Sequence, residues 1–144
     1  MTMNILFFLT PKANCSYLSS DDTIRQAIER MSASGYTALP ILARDGSYCG
    51  TLSEGDLLRA LKDMCVMDLK QTEYHTIMEC THHKDNKPVN VLTNIEDLFS
   101  KATDQNFVPV VDDKNAFIGI VTRKAIMQYC LDQYMKESPK EAVG

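Results

Sequence analysis

The chain has 144 residues, of which 44% are hydrophobic and 24% are charged, which is ordinary for a globular protein and excludes wholesale disorder. Its net charge of −4 argues against nucleic acid as the main partner, so any bound phosphate must be held by a local cluster of donors. The five cysteines form no C-x-x-C pair, which favours reduced thiols in a cytosolic protein over a disulfide framework or a zinc site.

Near the N-terminus, residues 5–9 read ILFFL, and no Lys or Arg precedes them. Five apolar residues are too few for the core of a signal sequence or for a membrane-spanning helix, which needs about 20. We therefore expect a soluble, cytoplasmic protein with no membrane partner.

The first regular pattern is an amphipathic helix. Residues 20–23, Ser-Asp-Asp-Thr, are good capping residues, and Gly35 is placed to end the helix. The apolar face between them consists of Ile24, Ala27, Ile28 and Met31. Turn residues then separate strands predicted at residues 38–42 and 48–52. The apolar residues of the following helix are Leu57, Leu58 and Leu61.

The same pattern returns in the second half of the chain. Pro40 and Pro109 lie 69 residues apart (109 − 40), and the same shift relates Gly50 to Gly119 and Ser53 to Thr122. The helices of this second unit carry Ile95, Leu98, Phe99 and Ala102, and then Ile126, Met127 and Cys130. With opening strands predicted near residues 15–18 and 89–92, each unit is a strand, a helix, two strands and a helix.

A constant shift over this many positions indicates one supersecondary unit that occurs twice. Units of this size pair, because half of the chain cannot bury its apolar face alone, and the pairing leaves a cleft between the halves. We assign repeat 1 to residues 8–62, a connector to 63–76, repeat 2 to 77–134 and a flexible tail to 135–144.

Each unit contains an apolar-Pro-apolar-apolar segment, at residues 39–42 and 108–111, before a turn. A glycine-led strand follows, ending in Ser53 or Thr122. This arrangement resembles the CBS domain, and its duplication resembles a CBS pair, or Bateman module. The resemblance implies an α/β fold of two β-α-β-β-α repeats, related by pseudo-twofold symmetry and packed through their sheets. It also implies adenosine-binding clefts and a homodimer of pairs.

In the family that the chain resembles, each cleft combines the early strands of one repeat with the strand-to-helix turn of the other. For cleft 1 the resemblance implies Lys12, Asn14, Tyr36, Thr37, Ala38, Thr122, Arg123 and Lys124. For cleft 2 it implies Ser53, Asp56, Lys87, Val89, Asn106 and Phe107.

The two clefts differ in charge. Ser53 and Asp56 lie three apart at a helix start, where the carboxylate either binds the hydroxyls of a ribose or only complements the helix dipole. In the second copy Ala125 replaces the acid, and Arg123 and Lys124 bring two cations to a helix N-terminus. These cations suit an anionic ligand, although Arg123 could instead pair with a surface carboxylate.

Tyr36 could lie against an adenine, or it could cover the core with its hydroxyl in solvent. The segments at residues 35–38 and 122–124 also resemble those of stand-alone bacterial CBS pairs that bind cyclic di-AMP. The expected regulatory ligand is therefore AMP, ADP, ATP or cyclic di-AMP, with S-adenosylmethionine as an alternative that fits the cationic turn less well.

We expect no metal site and no catalysis. Adjacent His82 and His83 diverge in direction, and the spacing places no third ligand beside them and Asp85. No activated nucleophile or acid–base pair can be assembled from the sequence, and no catalytic cofactor is expected. The leading hypothesis is a non-catalytic sensor that binds an adenine nucleotide and signals to a partner protein. The alternative is a structural dimerisation module with vestigial clefts.

Overall fold

A computed structural model of the chain describes residues 4–80 and 86–137. Over these residues the regular elements are, in chain order, β1 (Thr10–Pro11), β2 (Leu18–Ser19), α1 (Ile24–Ser34), β3 (Ala38–Leu42), β4 (Tyr48–Ser53), α2 (Glu54–Asp63), β5 (Val89–Asn90), α3 (Ile95–Asp104), β6 (Phe107–Val111), β7 (Phe117–Thr122) and α4 (Arg123–Glu137). None of the helices in these ranges is long and apolar enough to cross a lipid bilayer.

The strands form two sheets that follow the predicted duplication. One sheet has the order β2-β3-β4 and the other the order β1-β7-β6-β5. In each repeat the opening strand is parallel to its neighbour, and the two longer strands form an antiparallel hairpin. The predicted β-α-β-β-α repeats are thus confirmed. The first opening strand is Leu18–Ser19, which overlaps the predicted residues 15–18 at one position only.

Each repeat has its own apolar core under its helices. In α1 the cap is a Thr23–Gln26 capping box, and Gly35 ends the helix in the left-handed conformation, as the sequence predicts. The second helix of each repeat differs from the prediction, because Leu58 is 70% exposed and Met127 is 63% exposed. Leu57 and Ile126 are buried as predicted, so each of these helices places one predicted apolar residue in the core and leaves another on the surface.

The two repeats exchange the segments that precede them. Ile5 and Phe8, in a 3-10 helix at the N-terminus, are buried in the core of the second repeat. Ile77 and Cys80, which precede the opening strand β5 of the second repeat, are buried in the core of the first. The N-terminal segment also adds β1 to the edge of the second sheet, antiparallel to β7. The sequence analysis did not predict this exchange.

The hairpin turns of the two repeats meet at what we call the central seam, formed by residues 46–48 and 115–117. Phe117 N donates to Gly46 O (3.0 Å), and Tyr48 N donates to Asn115 O (3.2 Å). These two hydrogen bonds are equivalent under the repeat, as expected for a pseudo-twofold axis. Gly46 and Asn115 both have positive φ, +87° and +64°, which the tight turns require. The apolar residues packed at the seam are Leu42, Tyr48, Val111 and Phe117.

Substitution of Gly119 tests the pairing of β1 with β7. A Cβ at Gly119 would lie 2.2 Å from Thr10 O and 2.8 Å from Leu9 Cδ1. Gly119→Ala is therefore expected to lower the free energy of unfolding by roughly 1–3 kcal/mol in urea titrations. Gly55→Ala is the control, because a Cβ there meets Arg59 Nη1 at 3.4 Å and an alanine favours the helix. Equal stability of the two variants would contradict the pairing.

Tyr48 should make the stability depend on alkaline pH. Burial raises the pKa of its phenol to about 12, although a hydrogen bond to Thr51 opposes the shift. The pKa of tyrosine in the unfolded chain is about 10. The buried neutral phenol therefore stabilises the fold fully below pH 10, and this stabilisation, about 2–3 kcal/mol, is lost as the pH rises towards 12.

Urea unfolding of the wild type and Tyr48→Phe from pH 8 to pH 12 measures this effect. The wild type should lose more stability than the variant above pH 10. Cys80, whose pKa burial raises to about 11, contributes equally to both proteins. Parallel curves would show that the phenol is not buried at the seam.

Candidate functional site

Cleft 1 is a cavity of about 360 Å³ between the two repeats, within the range of small-molecule sites. Its walls come from the N-terminal segment, the start of β3, the start of β6 and the β7–α4 junction. Of the residues assigned to it from the sequence, six line it: Asn14, Tyr36, Thr37, Ala38, Thr122 and Lys124.

Backbone hydrogen bonds place the strand starts beside the helix starts. Arg123 N donates to Asn106 O (2.8 Å) in the second repeat, and Glu54 N donates to Thr37 O (2.9 Å) in the first. Thr122 accepts at Oγ1 from Ala125 N (3.0 Å) and so caps α4. Lys124 follows in the first turn of α4, where the unpaired N–H groups of a helix also attract anions.

Tyr36 stands at the mouth of cleft 1. Gly35, with φ +75°, reverses the chain at the end of α1, and Tyr36 N then donates to Ser34 Oγ (3.3 Å). The side chain of Tyr36 is left 57% exposed, so it is not a cover for the core. An exposed aromatic ring beside a cavity can stack on a planar ligand.

Arg123 and Lys12, both assigned to cleft 1 from the sequence, do not line the cavity. Arg123 donates from Nε to Ala102 O (2.8 Å) and from Nη2 to Thr103 O (3.2 Å), so it satisfies carbonyls at the end of α3. Lys12 Nζ lies 5.5 Å from the centre of the Tyr17 ring, in a cation–π contact. Lys124 is therefore the charged side chain that lines cleft 1 within the described residues.

Cleft 2 is a second cavity of about 320 Å³ on the other side of the β3 and β6 starts. Ser53, Asn106 and Phe107 line it, as assigned from the sequence. Asn106 and Phe107 also line cleft 1, so the two cavities share a wall.

The other three residues assigned to cleft 2 do not line it. Asp56 is 2% exposed; its Oδ2 accepts from Ser53 N (2.9 Å), and its Oδ1 lies 2.7 Å from Arg59 Nη2. Its carboxylate thus completes a capping box at the start of α2, where it also complements the helix dipole, as the alternative interpretation of this residue held. Val89 is buried in the core of the second repeat, and Lys87 is exposed.

Sequence reasoning missed Asp104 and Gln105 in cleft 2. The repeat register could have found Gln105, because it occupies the position of Tyr36 one repeat later. Within the described part of the chain, Gln105 Oε1 is buried without a hydrogen-bond partner. Asp104 is the charged residue lining this cleft, so cleft 2 has the opposite charge from cleft 1.

Of the N-terminal wall of cleft 1, the sequence analysis assigned Asn14 but missed three further lining residues. These are Thr10, Cys15 and Ser16. Burial raises the pKa of the Cys15 thiol, and the thiol donates to Pro11 O (3.3 Å), so it stays protonated and is a poor nucleophile.

His82, His83 and Asp85 lie outside the described residues. Within the described ranges, no three His, Cys, Asp or Glu side chains are grouped so as to hold a metal ion. Of the predicted tail, residues 138–144 also lie outside, while α4 continues through Glu137.

Comparisons with known proteins identify the duplicated unit. The CBS domain family matches residues 10–63 and 82–132. Among solved structures, the chain is similar to CbpB in complex with cyclic di-AMP, with 22% identity, a TM-score of 0.83 and coverage of 94% of this chain and 91% of that chain. A CBS domain protein from Streptococcus pneumoniae TIGR4 has 25% identity, a TM-score of 0.79 and coverage of 90% and 87%.

A third similar structure is CBSX2 in complex with AMP, with 24% identity, a TM-score of 0.72 and coverage of 91% of this chain and 98% of that chain. No curated protein matches the sequence. The structural likenesses confirm the fold that the resemblance implied.

The different roles of Arg123 and Lys124 can be tested by measuring the stability of their alanine variants. Arg123→Ala is expected to lower the free energy of unfolding by about 1–2 kcal/mol, because the end of α3 loses charge-assisted hydrogen bonds. Lys124→Ala should change it by less than about 0.5 kcal/mol. Both variants are compared by urea unfolding without nucleotide. A larger loss from Lys124→Ala than from Arg123→Ala would contradict these roles.

Proposed function

This chain belongs to the CBS domain family, and on that premise we propose that it is a non-catalytic sensor that binds an adenosine-containing nucleotide in cleft 1. The observation that carries the proposal is the composition of this cavity. Tyr36, Thr37 and Ala38 of one repeat line it together with Thr122 and Lys124 of the other.

Each group in cleft 1 suits one part of such a ligand. The ring of Tyr36 offers a stacking surface for the purine, and Thr37 offers a hydroxyl to its edge. Lys124 and the N-terminus of α4 together attract a phosphate. The complexes of CbpB with cyclic di-AMP and of CBSX2 with AMP support this class of ligand.

Regulation follows if the ligand prefers one arrangement of the repeats over another. A nucleotide in cleft 1 contacts both repeats at once, so its binding free energy can favour one relative position of the two sheets. A partner protein would then recognise the altered arrangement of the two repeats. The exposed apolar side chains of Leu58 and Met127 support a homodimer as the unit that transmits this change, since the two residues are equivalent in the two repeats.

Cleft 2 remains a candidate second site through Ser53, Asn106 and Phe107. The proposed role of Asp56 in binding a ribose is weakened, because its carboxylate already has Ser53 N and Arg59 as partners.

The rival function, a structural dimerisation module with vestigial clefts, predicts that neither cleft binds a nucleotide.

Calorimetric titration with AMP, ADP, ATP and cyclic di-AMP tests the proposed function. At least one of these should bind, and Lys124→Ala should weaken its binding about tenfold by removing a charge-assisted contact. Lys70→Ala, an exposed cation on the connector, is the control and should bind as the wild type does. No binding of any of the four by the wild type would favour the structural module.

A further inference from the structure

The N-terminal segment connects the core of the second repeat to the wall of cleft 1. Residues 5–16, which we call the N-terminal strap, begin with Ile5 and Phe8 in that core and continue through β1 along the edge of β7. The residues of the strap that line cleft 1 are Thr10, Asn14, Cys15 and Ser16. Residues 5–9 belong to the same strap but do not line the cavity, so they can report on the strap without touching a ligand in cleft 1.

Few contacts attach the strap to the second repeat. β1 pairs with β7 through Thr10 and Pro11, and proline has no N–H to donate to the ladder. The hydrogen bond from Leu9 N to Leu6 O (3.3 Å) closes within the strap. Among the described residues, no ion pair involves the strap. The strap is thus attached by a short ladder and by apolar contact.

Two side chains supply most of the apolar contact. Ile5 is fully buried. Phe8 lies edge-to-face against Phe99 and Tyr129, with ring centroids 5.7 and 5.3 Å apart. Phe7, which precedes Phe8, is 65% exposed. A segment held by two buried side chains and a short ladder is expected to open locally at a lower free energy than the core strands β6 and β7.

We propose that the N-terminal strap is a regulatory element that the ligand locks: it undocks reversibly from the second repeat while cleft 1 is empty, and a nucleotide in cleft 1 holds it in place. The inference rests on the proposed function of cleft 1 and names the element that responds to its ligand. Because the docked strap forms part of the cavity wall, the ligand binds the docked form better and shifts the equilibrium towards it. Undocking exposes the edge of β7 and the apolar surface under Ile5 and Phe8, so the empty and occupied proteins present different surfaces to a partner.

Hydrogen exchange of the wild type tests this proposal without any substitution. In the absence of ligand, residues 5–9 should exchange at least about tenfold faster than β6 and β7, through opening of the strap alone. AMP or cyclic di-AMP should slow their exchange, by up to about 100-fold at a concentration of roughly 100 times the dissociation constant. Since this exchange does not pass through global unfolding, a ligand slows it only if opening of the strap disrupts cleft 1.

Two isoleucines provide matched variants for calorimetric titration with the same probes. Ile5 and Ile77 are both fully buried, one in the core of each repeat, but only Ile5 lies on the strap. Ile5→Ala should weaken binding at least about threefold, because the apparent dissociation constant rises as the docked fraction falls. Ile77→Ala, the control, should keep the affinity within about twofold of the wild type. The milder pair Ile5→Val and Ile77→Val serves the same comparison if an alanine variant does not fold.

Fast exchange of residues 5–9 that a ligand slows, together with a selective effect of the Ile5 variant, would support the strap as the responding element. The proposal is overturned if residues 5–9 exchange as slowly as β6 and β7, if the ligand slows residues 10–16 alone, or if the Ile5 and Ile77 variants bind equally well. In these three cases the nucleotide sensor in cleft 1 still stands. Failure of the wild type to bind AMP, ADP, ATP and cyclic di-AMP removes both.

Discussion

The central seam is the constraint on which both clefts depend. Its reciprocal hydrogen bonds, from Phe117 N to Gly46 O and from Tyr48 N to Asn115 O, fix one repeat against the other in a single register. A one-residue slip would break both bonds and turn the alternating side chains of the hairpins to the wrong face. Because the seam sets the relative position of β3 and β6, it also sets the width of the cavities between them. The clefts are therefore properties of the pair and not of either repeat.

The exchange of segments makes the pair a single folding unit. Ile5 and Phe8 complete the core of the second repeat, and Ile77 and Cys80 complete the core of the first. Separating the repeats would expose these four side chains, at a cost of roughly 1.5–3 kcal/mol for each large one. The same N-terminal segment continues through β1 into the wall of cleft 1. Ligand binding and the cohesion of the two repeats thus share one stretch of backbone.

Sequence reasoning located most of the helices and strands, because apolar periodicity reflects local geometry and the constant shift reveals the duplication. It failed for side chains whose position is set by contacts with distant parts of the chain. Arg123 and Lys124 are adjacent at a helix start, so their side chains diverge by about 100°, and only one of them can face cleft 1. Asp56 fits a capping box as well as a ligand site at the level of sequence, and only the structure shows that it is buried and forms the capping box. The five apolar residues at 5–9 have no period from which packing on the distant repeat could be inferred.

Divergence of the duplicated positions has given the two clefts different chemistry within one framework. Tyr36 in cleft 1 becomes Gln105 in cleft 2, and the only charged lining side chains within the described residues are Lys124 and Asp104, one in each. The clefts nevertheless share a wall, because Asn106 and Phe107 line both. Any movement of the start of β6 that widens one cavity must alter the wall of the other. If both clefts bind ligands as proposed, such a movement would couple them, and the coupling would change the two affinities by the same factor. A shared wall between cavities of opposite charge is a more direct route for such coupling than a distant conformational change.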